Sequence, residues 1–486
     1  MPRIPSEVEP TPFYGTSDND IIFHTGGTFD YYGLGGDDVF YVDANDAIGP
    51  AGYYAYPDQY FFGGSGSDTM SYVLSDKAIM ANLGTGIAYR MFNGQAQSTH
   101  YLSSIENLTG SNFADTIYGS DGANLLRGGG GGDTIYGLDG NDHLWGDSGN
   151  DTVDGGEGDD TVDGGTGNDV LSGGDGADTV IGGDGADSLE GGAQNDVLNG
   201  GAHNDTLLGD SGDDRLEGGS GNDSMDGGSG TDTVVYTGAG AVTVSLFTGT
   251  ASGAWGSDTL ISIERVETGN GNDIVYGTTG SNRLEVGGGN DVVFAFDGHD
   301  VVYAGSGNDT VYGYEGIDLV YAGTGDDILW GGSDGDTLHG ENGADRLNGE
   351  DGDDSLFGEA GADWIRGGDG LDLISGGFDA DVIKWGAGDS GADTITGFNV
   401  AEDRLWFDAG YFAVEPVGAV DLVDVLMVFD AGADAVLAAN TAAEGWTVIA
   451  TLQNVDAQTI GQMITDESIL ASPVVNFGGQ PGELWL

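Results

Sequence analysis

Residues 165–192 read GTGNDVLSGGDGADTVIGGDGADSLEGG. Asp169, Asp178 and Asp187 fall nine residues apart, and the stretch holds no lysine or arginine to answer them. Like charges at a fixed period repel one another, so a chain that keeps them stacks something cationic between them. The apolar residues keep the same beat. Leu171, Val180 and Leu189 each stand two places after an aspartate. Glycines fill the interval before it.

The beat extends far beyond this window. From Asp115 and Asn124 it runs through Asp133, Asp142, Asp151, Asp160, Asp169, Asp178, Asp187, Asp196, Asp205, Asp214 and Asp223 to Asp232. A second run starts at Asp273 and Asn282. It continues through Asp291, Asp300, Asp309, Asp318, Asp327, Asp336, Asp345, Asp354, Asp363 and Asp372 to Asp381. These are 14 and 13 registers without a slip, and the residue two places on is apolar in every one. The consensus is G-G-x-G-x-D-x-U-x, the nonapeptide of calcium-binding parallel β-helices. One copy would mean little. So many copies in one register make the motif highly specific.

Each position has a physical reason. Glycine permits the positive φ angles and close backbone approach of a turn whose carbonyls converge on an ion. Aspartate adds a hard oxygen donor, suited to a cation that takes six to eight oxygens at about 2.3–2.6 Å. The x-U-x triplet predicts a short strand whose middle residue faces inward. Two nonapeptides then make one turn of a flattened coil, and loops two units apart stack on the same side.

On these motifs, residues 110–410 resemble the RTX proteins, which carry hemolysin-type calcium-binding repeats. The resemblance implies an all-β fold, a right-handed parallel β-roll solenoid with Ca²⁺ between neighbouring turns. It also implies folding on calcium and export by type I secretion machinery through an uncleaved C-terminal signal. The aspartates above from Asp133 to Asp232, together with Asp273 and those from Asp291 to Asp372, are the expected metal ligands. About 20 calcium ions, one per stacked loop pair, would supply about +40 and leave a net charge near −30.

Composition sets limits on partners. The chain has 82 Asp+Glu against 11 Lys+Arg, a net charge of −71 over 486 residues, and 95 glycines. With no basic patch to neutralise phosphates, nucleic acid is a poor partner. Anionic lipid is disfavoured for the same reason. There are no cysteines, hence no disulfides and no thiolate metal site. No apolar run is long enough to span a membrane. The opening residues MPRIPSEVEPTPFYG lack the basic and apolar regions of a cleavable leader. The export route implied by the resemblance needs none, which makes a secreted, extracellular or cell-surface location the expectation.

Along the chain we expect an N-terminal arm with degenerate units (GTSDND, GLGGDD, GGSGSD) over 1–68 and a non-repeat insert over 69–109. A first roll over 110–232, a second insert over 233–268 and a second roll over 269–381 follow. The inserts resemble each other, ending in LSSIENLTG and LISIERVETG, and VTVSLFTGTA alternates as short strands would. Residues 382–410 resemble the closing cap of serralysin-type rolls. Residues 411–486 read as a β-rich segment with a final helix at AQTIGQMITDESIL and the secretion signal.

Catalytic signatures are wanting. None of the six histidines (24, 100, 143, 203, 299, 339) precedes a glutamate, which excludes a His-Glu-x-x-His zinc protease site. GGSDG at 331–335 matches G-x-S-x-G but lies inside a repeat loop, with no strand-to-helix elbow. One feature rises above a plain roll. In the second run the residue three past the aspartate is often aromatic: Tyr276, Phe294, Tyr303, Tyr312, Tyr321 and Trp330. Apolar outward strands mark an interface or are covered by the protein's own insert or C-terminal segment. The expectation is a non-enzymatic structural protein of the cell surface or extracellular matrix, acting in a surface layer or in adhesion by self-assembly. The alternatives are a calcium-dependent module that binds surface polysaccharide through the aromatic ladder, and an RTX-type extracellular enzyme.

Overall fold

In the repeats, strands of three to six residues separated by glycine-rich loops alternate between two sheets and pair in parallel within each. A computed structural model of the chain describes residues 12–24, 30–42, 59–407 (without 239 and 387), 426–430, 434–441, 445–455 and 484–485. Every regular element among them is a strand. The fold is an all-β parallel solenoid. The chain forms two compact units, residues 1–235 with 255–263, and residues 236–254 with 264–486.

In the first unit the sequence period becomes register directly. Thr152–Glu157 pairs in parallel with Val170–Asp175, and that strand with Ser188–Ala193, so Val153, Leu171 and Leu189 sit side by side 18 residues apart. The intervening nonapeptides build the opposite sheet, where Val162, Val180 and Leu198 align in the same way. These inward residues are fully or almost fully buried. The core is thus one apolar side chain per nonapeptide, closed on its other sides by loop backbone. Such a core leaves little apolar burial per residue, so loop chemistry must carry much of the fold.

The inserts lie within the sheets. Ile79–Asn82, Ile87–Phe92 and Gln95–Ser103 form an antiparallel meander whose first strand pairs in parallel with Thr116–Tyr118. In the second unit Val242–Ser245 and Thr250–Gly253 form a hairpin, and its first strand pairs in parallel with Ile274–Tyr276. Stacking also continues beyond the end of the strict period. Val382–Trp385, Asp393–Thr396 and Arg404–Phe407 pair in parallel onto the preceding rungs. Leu426–Asp430, Ala435–Thr441 and Gly445–Leu452 then run antiparallel to one another. The helix expected over 457–470 lies outside the described residues.

Candidate metal centre

Most loops turn on two left-handed residues, four and two places before the aspartate. Before Asp160 these are Gly156 (φ +114°) and Gly158 (φ +126°). The glycine one place earlier is needed for space. A Cβ on Gly146 would stand 2.5 Å from Asp151 Oδ2 and 2.6 Å from the Gly164 carbonyl oxygen. Glycine therefore lets a carboxylate oxygen and a carbonyl of the next rung converge on one point.

The aspartates form continuous columns. The backbone N–H of Asp160 donates to Asp178 Oδ1 at 2.7 Å, that of Asp178 to Asp196 at 2.8 Å, and that of Asp196 to Asp214 at 2.8 Å. The same link repeats across the second unit, from Asp300 to Asp318 and Asp318 to Asp336. One oxygen of each carboxylate is thereby satisfied. The other, Oδ2, is buried and has no hydrogen-bond partner at any predicted ligand from Asp133 to Asp232, nor at Asp273 or any from Asp291 to Asp372. A buried carboxylate oxygen without a partner costs several kcal/mol unless the group is neutralised.

Burial shows in the acidities. Desolvation, with like charges one rung away adding to it, pushes Asp151 and Asp160 up to about 7 and Asp336 to about 8, against the N–H bonds that pull them down. Asp142 and Asp178 reach about 6, again mainly through burial. Metal-free, the columns are electrostatically frustrated near neutral pH.

The donor set identifies the cation that fits. Among the described residues no three His, Cys, Asp or Glu side chains gather as a cage. What converges is one carboxylate oxygen per loop with backbone carbonyls, all hard oxygen donors. This suits Ca²⁺, which accepts carbonyl oxygens at variable geometry, better than metals that demand imidazole or thiolate. Asp Oδ2 and the loop carbonyls would hold the ion, which would supply the positive charge the columns lack.

Several loops depart from the rule in an instructive way. At Asp115 the Ser111 N–H donates to Oδ2 at 2.5 Å, and the Ser111 hydroxyl donates to Oδ1 at 3.0 Å. Ser120 N–H donates to Asn124 Oδ1 and Thr278 N–H to Asn282 Oδ1, both at 2.7 Å. These loops have Ser or Thr, with no positive φ, four places before the Asp or Asn, and they bond to themselves. In the other direction, three residues omitted from the expected ligands have the full signature. Asp38, Asp68 and Asp381 are buried with unpartnered Oδ2 atoms. Asp20, Asp38 and Asp68 are one column, linked by 2.8 Å bonds across intervals of 18 and 30 residues. The lengthened interval hid the column, although GLGGDD and GGSGSD carried its signal.

The aromatic residues form two ladders in the second unit. Tyr276, Phe294, Tyr312 and Trp330 stack with centroids 4.9, 5.1 and 4.5 Å apart and planes within 6° of parallel. On the opposite sheet Tyr303 and Tyr321 stack at 5.1 Å, followed by His339 and Phe357. All are half-buried. The hairpin strand Val242–Ser245 lies beside Tyr276 in the sheet. The rings cover each other and present edges outward. Ser333 of GGSDG is a loop residue whose hydroxyl reaches the Tyr314 carbonyl at 3.5 Å.

A solenoid stacked on buried carboxylate columns is a calcium-binding repeat architecture. The RTX calcium-binding nonapeptide repeat family matches residues 103–135, 127–162, 136–171, 163–198, 172–207, 199–234, 263–293, 276–311, 312–347 and 348–383. These windows cover 132 residues in the first block and 121 in the second, 253 of the 486. The chain belongs to this family. No curated protein shows a significant match to it. Solved structures similar to it include the extracellular lipase LipA from Serratia marcescens, at 19% identity over 56% of this chain, with a TM-score of 0.16. The chain spans 38% of that lipase's length. Another is a hyperactive, Ca²⁺-dependent, β-helical antifreeze protein from an Antarctic bacterium. That match has 20% identity over 73% of this chain and 84% of the other, with a TM-score of 0.22.

Proposed function

We propose that this protein is a calcium-folded structural protein, exported by type I secretion and working outside the cell, at the cell surface or in the extracellular matrix. The observation that carries the reading is the file of buried, unpartnered Oδ2 atoms in both units. Carboxylates so placed cannot all ionise in a folded roll unless divalent cations sit between them. Binding free energy is then folding free energy, and the roll folds where calcium is abundant. Cytosolic calcium is scarce, so the chain would leave the cell unfolded and fold on arrival. The proposed ligands are the predicted aspartates together with Asp38, Asp68 and Asp381. The ladder edges are the proposed self-assembly surface, since each ring buries about 150–250 Å² when covered. Stacking a sugar chain along the ladder is a poorer fit, because neighbouring rings already occupy the faces. Electron microscopy with and without calcium tests the reading. Ordered sheets or fibres that need calcium support it, and dispersed, calcium-loaded, folded monomers at high concentration count against it.

A further inference from the structure

Beside the main ladder, in the second unit, runs a shorter one along the loop flank. Phe296, Tyr314, Gly332, Glu350 and Gly368 are aligned in successive rungs. The Phe296 and Tyr314 rings stack at 5.6 Å. The next rung carries Gly332, so the second face of Tyr314 is open, unlike any ring inside the main ladder. Over that gap lies a groove of about 510 Å³ lined by Tyr314, Glu315, Glu350, Asp351, Arg366 and Asp369, among others. Its volume is in the usual range for small-molecule sites, roughly 300–1,000 Å³.

Tyr314 occupies a strained backbone position. Its φ is +84°, a left-handed position where the repeat normally places glycine and where a bulky side chain is strained. Strain held by the surrounding fold is a pointer to function. The slot between Tyr314 and Glu350 spans two rungs, about 9.6 Å at the usual strand spacing. A pyranose ring in contact at about 3.5–4.0 Å on each side fills it. The charge is one-sided. Arg366 is held by Asp389 in a paired contact through both Nε and a terminal nitrogen. Its charge also reaches Glu350, so one guanidinium already paired with Asp389 faces the four other carboxylates of the groove, Glu315, Glu350, Asp351 and Asp369.

We propose that this groove is a saccharide subsite for an amino sugar, with the pyranose ring on the open face of Tyr314 and the ammonium group among the four carboxylates. The groove exists only in the folded roll, so the proposal rests on calcium-driven folding. The probe is a glucosamine oligosaccharide, titrated calorimetrically into the calcium-loaded full chain at physiological salt. Wild type binds it. Tyr314→Gly loses at least tenfold in affinity while its melting temperature in calcium holds or rises, because glycine relieves the left-handed strain. Tyr314→Trp retains binding, and Glu350→Gln weakens it severalfold.

The N-acetylated oligosaccharide binds several times more weakly, and spermine binds wild type and Tyr314→Gly alike. Equal binding of the glucosamine oligosaccharide by wild type and Tyr314→Gly would reduce the effect to attraction by net charge and overturn the proposal. So would no binding by wild type, and equal affinity for the N-acetylated form would overturn the amino-sugar assignment. Circular dichroism of each sample separates these failures from a failure to fold in calcium, which would overturn the calcium reading as well.

Discussion

The two repeat runs have the same interior and different exteriors. Inside, both stack buried aliphatic residues against carboxylate columns with the same 18-residue bond pattern. Outside, the first run has aromatics only at its start, Tyr118, Tyr136 and Trp145, and then shows Asp154, Asp163, Ser172 and Glu190 at the position where the second shows Tyr276, Phe294, Tyr303 and Tyr312. The interior is set by what a rung needs in order to close, and the exterior is free to differ. Difference between the runs therefore points to use, and sameness points to folding.

Removing calcium should erase the comparison altogether. In excess chelator at pH 7.5, circular dichroism should lose most of its strand signal, because the interiors of both runs fail together. Calcium added back should restore it. A full strand signal in chelator would show that the apolar core suffices alone.

Protons should partly replace calcium. The folded-state pKa values of Asp142, Asp151 and Asp336 are raised to about 6, 7 and 8, against about 3.9 in an unfolded chain. A raised folded pKa means the folded state holds more protons, so its stabilisation is complete below about pH 4 and is lost as pH rises through 6–8. Metal-free protein should therefore regain strand signal on acidification and lose it again above pH 8, whereas calcium-loaded protein should be far less sensitive across 6–8. A metal-free chain that gains structure as pH rises would reverse the sign and refute the burial account.

The exteriors are separated by a smaller effect. Replacing Tyr276, Phe294, Tyr312 and Trp330 with Thr removes the three stacks of the ladder and the contacts of Tyr276 with Phe296 and of Tyr312 with Tyr314, at about 0.5–1.5 kcal/mol each, so about 2.5–7.5 kcal/mol in all. Calcium-induced folding should persist, since Val275, Val293, Val311 and Leu329 still fill the core. The melting temperature should fall, and calcium-dependent assembly, read by light scattering, should go with it. Assembly that survives would place the contact surface elsewhere.

The smallest effect contrasts loop types within one run. Asp178→Ala deletes an unpartnered buried oxygen, and should cost calcium at neighbouring rungs and about 1–3 kcal/mol in calcium. Asn124→Ala removes an oxygen already bonded to Ser120 N–H. It should cost about 0.5–1.5 kcal/mol and leave calcium stoichiometry unchanged. Equal calcium loss from both would mean that self-bonded loops bind the ion too.

Much of this was legible because the period is local. A nine-residue beat states where the strand, the turn and the inward residue fall, and parallel stacking converts 18 residues into one rung. Where spacing stretches, local reading loses the column, as at Asp38 and Asp68, which are joined across 30 residues. The self-bonded loops were half visible. Asn124 and Asn282 stand out in sequence, but that Ser120 and Thr278 supply the N–H depends on their backbone not being left-handed. The 18-residue spacing of Tyr276, Phe294, Tyr312 and Trp330 already places their rings one above another on one sheet, whereas the open face of Tyr314 was hidden. A side chain's neighbours one rung away lie 18 residues off, and Gly332 matters there for what it lacks.

The central claim is that each buried, unpartnered carboxylate oxygen marks a place for calcium. The direct measurement is the number of calcium ions retained per chain, by elemental analysis after dialysis at pH 7.5, on protein whose strand signal is complete. About 20 are expected, given one ion per stacked loop pair. A fully folded chain that retains fewer than about five would contradict the account.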